Sequence, residues 1–564
     1  MRQRNPNIMD FGCYQFSGGL NVKSAPQEVG DHDLTKAKDV YLRADGGTIL
    51  RNGMLAFGNA IGSGQLVLAR FYQDVKSGAT VIPEVTKLIG QVGNNLYNMT
   101  SSGNTLIGSV GTNANPMTWV RIQNPNDPHF TGGLTDCMVI CTGVGGPYIY
   151  DGTNLYTPVG WSQATGASWC AAVNGILWFG GIPAFPNQIF GTGDGITASM
   201  ESLPAYRNFA LSAPATGLCA IGTGANAILA IGRNTGLSLL YGTGPSTFYL
   251  QDIPFPDGVT AGRSMVSGSG VLYFLGHMAF YSFDGTSTPL RTSDKIEPWI
   301  LNDALASVGG YPMTGNWNLS WATLYSNRIH LGYCANAATV PNTVLCLDLV
   351  TKGWTVLTPT PGLSSMILFD APSDPNPYMA YVGSATTGQA YVWDYQALLP
   401  TGNGLVWDVG VWDRNTWASN VPAVLAAASP VYDGSTPVLA QVQSKFFKIG
   451  KPGTNKNLMR FYPEFLVSSS PFSVPFTVST DYGNTTTTTI VQQPAGGSAL
   501  VWDVGSWDVN AWGGAAYTGF NAPASRIDMD IAGEAFALGF QMQSALSPFI
   551  YAGGSGSYSQ RGRT

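Results

Sequence analysis

Apolar and polar positions in this chain change over in short bursts. Runs such as VLYFLG (271–276), AILAIG (227–232) and ILWFGG (176–181) are apolar, aromatic or β-branched and end in glycine. At about 4–8 residues they have the length of buried strands rather than of helices. Asp151-Gly152, Asp284-Gly285, Asp433-Gly434 and Asn174-Gly175 punctuate them and predict tight turns. A helix is expected only at Asp294 to Ser307, DKIEPWILNDALAS, with Ser293 or Asp294 as cap and Glu297 close behind. The chain therefore reads as all-β.

Two repeats organise it. PYIYDGTNLYTPVGW (147–161), AFYSFDGTSTPLRT (279–292), VLCLDLVTKGWTVL (344–357) and QAYVWDYQALLPTG (389–402) each place an aromatic-rich strand, a polar turn and a second strand in succession. Consecutive hairpins of that form build the four-stranded blades of a β-propeller, and a β-sandwich or jelly roll gives similar local signals. Their irregular spacing fixes no blade number. The second repeat is sharper. WDVGVWDRNTW (407–417) and WDVGSWDVNAW (502–512) share Trp407/Trp502, Asp408/Asp503, Gly410/Gly505, Trp412/Trp507, Asp413/Asp508, Asn415/Asn510 and Trp417/Trp512. Two equivalent strand–turn units whose indoles fill one core account for it, and exposed indoles for sugar stacking or subunit contact are the other reading. The expected layout is an N-terminal arm over 1–55, a β-propeller over 56–402 and a sandwich-like C-terminal β domain over 403–564, opened by TGNG (401–404).

Composition narrows the classes. Of 564 residues 11% are charged, less than half the roughly 25% of an average domain, while glycine, at 70, exceeds its usual ~7%. With 44% hydrophobic residues, 12% of all residues aromatic, intrinsic disorder is excluded, and two or three domains are expected. The scarcity of Glu and Lys excludes a coiled coil. No apolar run reaches the ~18–20 residues of a membrane span, and MRQRNPNIMDFGCYQF lacks the apolar stretch of a secretory signal. Net charge is −6, and the 27 cations are scattered, the densest group being Lys23, Lys36, Lys38, Arg43 and Arg51. Gripping nucleic acid takes clustered cations, because each neutralised phosphate adds affinity. Tight DNA binding is not expected. Few charges and many aromatics suit a surface buried against neighbours.

Chemistry is sparse. Cys13, Cys137, Cys141, Cys170, Cys219, Cys334 and Cys346 form an odd, widely spaced set that reads as buried thiols on strands in a protein folding in a reducing cytoplasm. His32, His129, His277 and His330 form no i, i+4 pair and no H-E-x-x-H. His277 reads as a turn residue. Ser479-Thr480-Asp481-Tyr482-Gly483-Asn484-Thr485-Thr486 nearly matches the Asp-box hairpin of sialidases without its final Trp. There the Ser and Asp side chains bond backbone in a turn. The Trp-Asp pairs offer carboxylates, but their duplication points to structure rather than one glycosidase site. No catalytic, cofactor-binding or metal residue is assigned, no cofactor is called for, and no enzyme is expected.

FSGGLNVKSAPQEVGDHDLTKAKDVYLRADGGTILRNGM (16–54) resembles the opening of tail nozzle, or tail hub, proteins of short-tailed bacteriophages. The matching positions are Gly18, Gly19, Leu20, Pro26, Gly46 or Gly47, Arg51 and Gly53. Residues 221–300 are similar to hub blades, with Ser293, Ile296, Glu297 and Trp299 in the closing element, and YSQRGRT is similar to the Arg-rich ends of such chains. The resemblance implies a structural virion protein. It would form a closed ring, a homo-hexamer, below the portal and its adaptor protein, and continue the DNA channel for retention and ejection. It would carry tail fibre, spike or needle proteins, let double-stranded DNA pass without tight binding, and insert into no membrane. Synthesis in the host cytoplasm and residence in the virion follow. Two other readings stand beside it: a carbohydrate-binding tail fibre or lectin-like propeller, and a glycan-processing enzyme.

Overall fold

The computed structural model describes residues 8–13, 15–26, 28–74, 76–77, 85–130, 133–286, 288–303, 310–369, 379–393, 432–433, 436–448, 456–466, 472–480, 485–492, 527–543 and 550–560. Strands dominate their regular structure, and the helices among them are short turns.

Seven antiparallel sheets carry the four-strand unit. The first holds Leu66–Gln73, Val85–Val92, Asn95–Met99 and Asn104–Ser109. The second holds Thr118–Asn124, Leu134–Cys141, Tyr148–Tyr150 and Leu155–Tyr156, with the short Lys76–Ser77 beside it. Trp169–Val173, Ile176–Gly180, Gln188–Gly191 and Asn208–Ala210 make the third. Ala215–Ile221, Ile228–Arg233, Gly236–Tyr241 and Tyr249–Ile253 make the fourth. The fifth follows with Val266–Gly268, Val271–Leu275, Phe280–Phe283 and Leu290–Arg291. Trp321–Tyr325, Arg328–Tyr333, Thr343–Asp348 and Trp354–Leu357 form the sixth.

The seventh is built differently. Leu363–Phe369, Met379–Ser384 and Ala390–Val392 take their fourth strand from the far end of the sequence, Leu55–Phe57, in the register Ala390↔Phe57 and Val392↔Leu55. The leading strand of each sheet packs on that of the next, and Leu363–Phe369 packs back on Leu66–Gln73. Apolar side chains fill the gaps between consecutive sheets. Val67, Phe71, Met138 and Ile140 join the first two, and Leu66, Leu68, Ile367 and Phe369 join the seventh to the first. Strands buried on both faces need continuous apolar runs, which is why ILWFG and TVLCLD carry almost no alternation. The outermost strands are short and wetter, as in the exposed pair Leu290–Arg291.

Both chain ends join the remaining strands. Trp354–Leu357 of the sixth sheet meets Asp33–Lys38 in parallel. That strand continues into Leu439–Ser444, Phe536–Gln543, Phe472–Thr480 and Thr485–Gln492, with Gly19–Leu20 alongside. A second sheet combines Val40–Leu42, Thr48–Leu50, Ile550–Gln560, Lys456–Leu466, Ile527–Gly533 and Ile8–Cys13. Residues of both, among them Leu34, Val442 and Phe540 with Leu458, Phe461 and Tyr558, share one apolar cluster. The segment expected as an arm thus supplies strands that pair with Trp354–Leu357 and with strands beyond residue 438.

Over its described residues, 294–303, the expected helix at 294–307 is corrected to a 3-10 turn, Asp294–Ile296, and one α turn, Glu297–Ile300; residues 304–307 lie outside the described ones. Asn302 takes a left-handed φ of 54°, and the Asp303 and Asn302 amides donate back to the Pro298 and Trp299 carbonyls. That pairing is a Schellman stop, with Asn tolerating the left-handed position.

Candidate functional site

Two stretches singled out in the sequence, 16–54 and 221–300, meet in space. Gly19 has φ +68°, and a Cβ there would lie 2.6 Å from the Trp354 nitrogen, so only glycine lets the segment pass so close to the sixth sheet. Beside it the Lys295 ammonium donates to the Gly18 carbonyl at 2.8 Å and to Asp33 at 2.6 Å, and the Val22 amide donates to the Lys295 carbonyl. Lys23 pairs with Glu297 at 2.6 Å, and Arg291 approaches the same carboxylate at 3.0 Å. The hydrogen bond from Lys23 and the two cationic charges hold the Glu297 carboxyl below its ordinary range. Nearby, the Ser293 hydroxyl accepts the Phe280 amide at 2.9 Å.

A second knot lies at Arg51. Its guanidinium is closed to solvent, donates to Asp39 at 2.7 Å and grips Asp433 through two nitrogens at 2.8 and 2.6 Å. Burial alone would depress this group, and Asp433 and Asp39 reverse the effect, holding it above its ordinary value. Thr358 donates to both Asp39 oxygens, and the Thr360 amide donates to Asp433. The Trp393 ring stacks on the cation 5.2 Å away. One buried cation therefore fixes the N-terminal segment, the link between the sixth and seventh sheets, and Asp433.

Two other groupings carry chemical potential. Cys346 Sγ lies 3.9 Å from His330 Nε2, but both are buried among Tyr41, Tyr325 and Trp393, and burial pushes His330 down to about 3. A substrate has no route to that pair. Asp127, His129 and Asp151 form the one group of three or more metal-ligating side chains among the described residues. Asp127 and His129 lie between the first two strands of the second sheet, and Asp151 lies between its last two. In an antiparallel meander both connections emerge at the same end. Next to them Cys137 Sγ stands 3.8 Å from Asp127, and burial followed by the Asp127, Asp151 and Asp136 charges pushes this thiol far up, so it stays protonated. Sequence reasoning did not pick out this group, because its members are separated by a strand pair and no local spacing marks it.

The other residues noted in the sequence fall as follows. His277 sits in a turn with its amide on Asp257, 2.9 Å away. Cys137, Cys141, Cys170, Cys334 and Cys346 are buried thiols, and Cys219 is half-buried. Ser479 pairs with Thr485 across two antiparallel strands, so the Asp-box-like segment spans their connection, whose residues 481–484 lie outside the described ones. The duplicated Trp-Asp elements, 407–417 and 502–512, also lie outside the described residues.

No family model matches the chain, and no curated protein does. Among solved structures, the chain is similar to a crystal structure of BBS1N in complex with ARL6DN, soaked with mercury. The TM-score is 0.38 at 9% identity, covering 61% of this chain and 97% of that one. The lead-soaked counterpart gives a TM-score of 0.28 at 13% identity over 54% and 96%.

Proposed function

We propose that this chain is a structural virion protein, a tail nozzle subunit of a short-tailed phage. Its seven four-strand units are read as the blades of a β-propeller, and the six-stranded sheet, with the strands that extend the sixth unit, as a sandwich built from both chain ends. The observation that carries the reading is the interlock of residues 16–54 with 291–299. Of the positions that resemble nozzle proteins, Gly18 and Gly19 lie against Lys295 and Trp354 and Glu297 pairs with Lys23, while Arg51 ties Asp39 to Asp433.

Electrostatics support the same reading. In the densest cationic run Lys23, Arg43 and Arg51 are neutralised by Glu297, Asp45, and Asp39 with Asp433. Three of the five cations of that run are thus paired, and a channel wall with few unpaired cations would offer a passing polyanion little to grip, since affinity for DNA rises with each phosphate neutralised. Six copies in a closed ring would make head-to-tail contacts using two different patches per subunit. The ring would continue the portal and adaptor channel, and carry fibre, spike or needle proteins. Among the described residues no helix is long and apolar enough to cross a membrane.

Mass photometry and negative-stain imaging of the purified chain, alone and mixed with its portal–adaptor complex, test this. Hollow rings at six times the 59.7 kDa subunit mass are expected. A chain that stays a single particle in both conditions overturns the reading, as does saturable glycan binding or turnover by such a particle.

A further inference from the structure

We infer that Asp127, His129 and Asp151 form a binding site for a first-row divalent transition-metal ion, of the Zn²⁺ or Mn²⁺ kind. His129 Nδ1 lies 3.5 Å from Asp127 Oδ1 and 3.7 Å from an oxygen of Asp151. A charge-assisted N–H···O bond is about 2.7–2.9 Å long, so the imidazole is bonded to neither carboxylate. Two donors on one ion at about 2.0–2.1 Å each stand roughly 3.3 Å apart in tetrahedral geometry, close to the observed separations.

A second observation is the burial of both carboxylates. The Asp127 side chain is 0% exposed; its Oδ1 accepts the His129 amide at 2.9 Å, and its Oδ2 faces the Cys137 thiol at 3.8 Å, a weak donor at long range. Asp151 is equally buried, and among the described residues neither carboxylate is paired with Lys or Arg. Buried carboxylates are ordinarily paired with a cation or bound to a metal. Among the described residues, the basic side chain in reach is an imidazole 3.5 and 3.7 Å away.

The donors select the ion. Two carboxylates and one imidazole suit zinc or manganese, whereas calcium takes six to eight oxygens. The carboxylate of Asp151 is oriented by the Thr153 and Asn154 amides at 2.7 and 2.6 Å, and the His129 ring packs edge-on against Tyr156 at 4.9 Å. His129 is 41% exposed, which gives an ion an entry path and leaves its outer positions to water. Bound there, the ion would pin both connections at one end of the second sheet.

The test uses the full chain, stripped with chelator and titrated separately with Zn²⁺, Mn²⁺ and Ca²⁺, read by calorimetry, by metal content after desalting and by thermal melting. One Zn²⁺ or Mn²⁺ per chain with a raised Tm is expected. Binding should weaken by more than about tenfold in His129→Ala, whose exposed ring can be removed with an unchanged circular dichroism spectrum. Asp151→Asn should lose the ion as well. If that variant misfolds, His129→Ala alone decides. Three results overturn the site: no retained ion with no change in Tm, retention undiminished in His129→Ala, or preference for Ca²⁺ over both transition metals.

Discussion

Arg51 and Asp433, 382 positions apart in the chain, face each other through two parallel N–H···O contacts in a site closed to solvent, with Asp39 on the third side. Removing one partner of a buried pair strands the other charge, which costs about 3–5 kcal/mol. Arg51→Met leaves two carboxylates stranded and should lower the unfolding free energy by at least that much in urea titrations. Arg51→Lys should recover only part of it, because a point-like ammonium cannot reproduce the fork. A loss under about 1 kcal/mol in Arg51→Met would show that the knot does not hold the chain together.

Lys23 and Glu297 present the opposite case. Their 2.6 Å contact is as short, but the lysine side chain is 50% exposed. Solvent-screened pairs contribute about 0–1 kcal/mol. Lys23→Ala should therefore shift the denaturation midpoint slightly, and added salt should shrink the difference further. A loss matching that of Arg51→Met would mean that the join depends on this pair rather than on its backbone contacts.

At Gly19 a side chain meets both a left-handed φ and backbone atoms at 2.6–2.8 Å. Gly19→Ala should destabilise by about 1–3 kcal/mol and raise cleavage by trypsin at Lys23, since the segment must lift off the sixth sheet. Gly62, with open space around it, serves as a control despite its φ of 149°. Gly62→Ala should be tolerated better, as compared by melting temperature and digestion rate.

Acid sensitivity should trace in part to His330. Burial holds it neutral in the folded chain, with a pKa of about 3 against 6.5 when exposed. The unfolded chain takes up a proton first as pH falls, so this residue contributes nothing to pH dependence above about 6.5. Between 6.5 and 3 it erodes stability by up to about 1.4 kcal/mol per pH unit. His330→Phe should flatten the melting temperature over that window. An unchanged slope between pH 6 and 4 would assign the acid response to other groups.

How much was legible in advance depended on range. The bursts VLYFLG, AILAIG and ILWFGG became second strands of their sheets, because a strand covered on both faces writes a local apolar run. DKIEPWILNDALAS promised a longer helix than exists, because helical spacing says nothing of the left-handed Asn302 that stops it. The pairing of Leu55–Phe57 with Ala390–Val392 left no mark in either stretch, since register is a property of two strands and not of one. The Asp127, His129 and Asp151 group was hidden for a related reason. Its members converge only when two connections surface at the same end of one sheet.

The late recruitment of Leu55–Phe57 bears on how the molecule is made. A nascent chain presents this strand, together with Val40–Leu42 and Thr48–Leu50, long before their partners around residues 390 and 550 are synthesised. Throughout that interval their open edges are exposed to pairing with other chains, and such long-range closure is slow. Productive folding should thus favour dilute, chaperone-assisted translation. Once the latch engages, neither terminus can peel away without opening a sheet that belongs to the other.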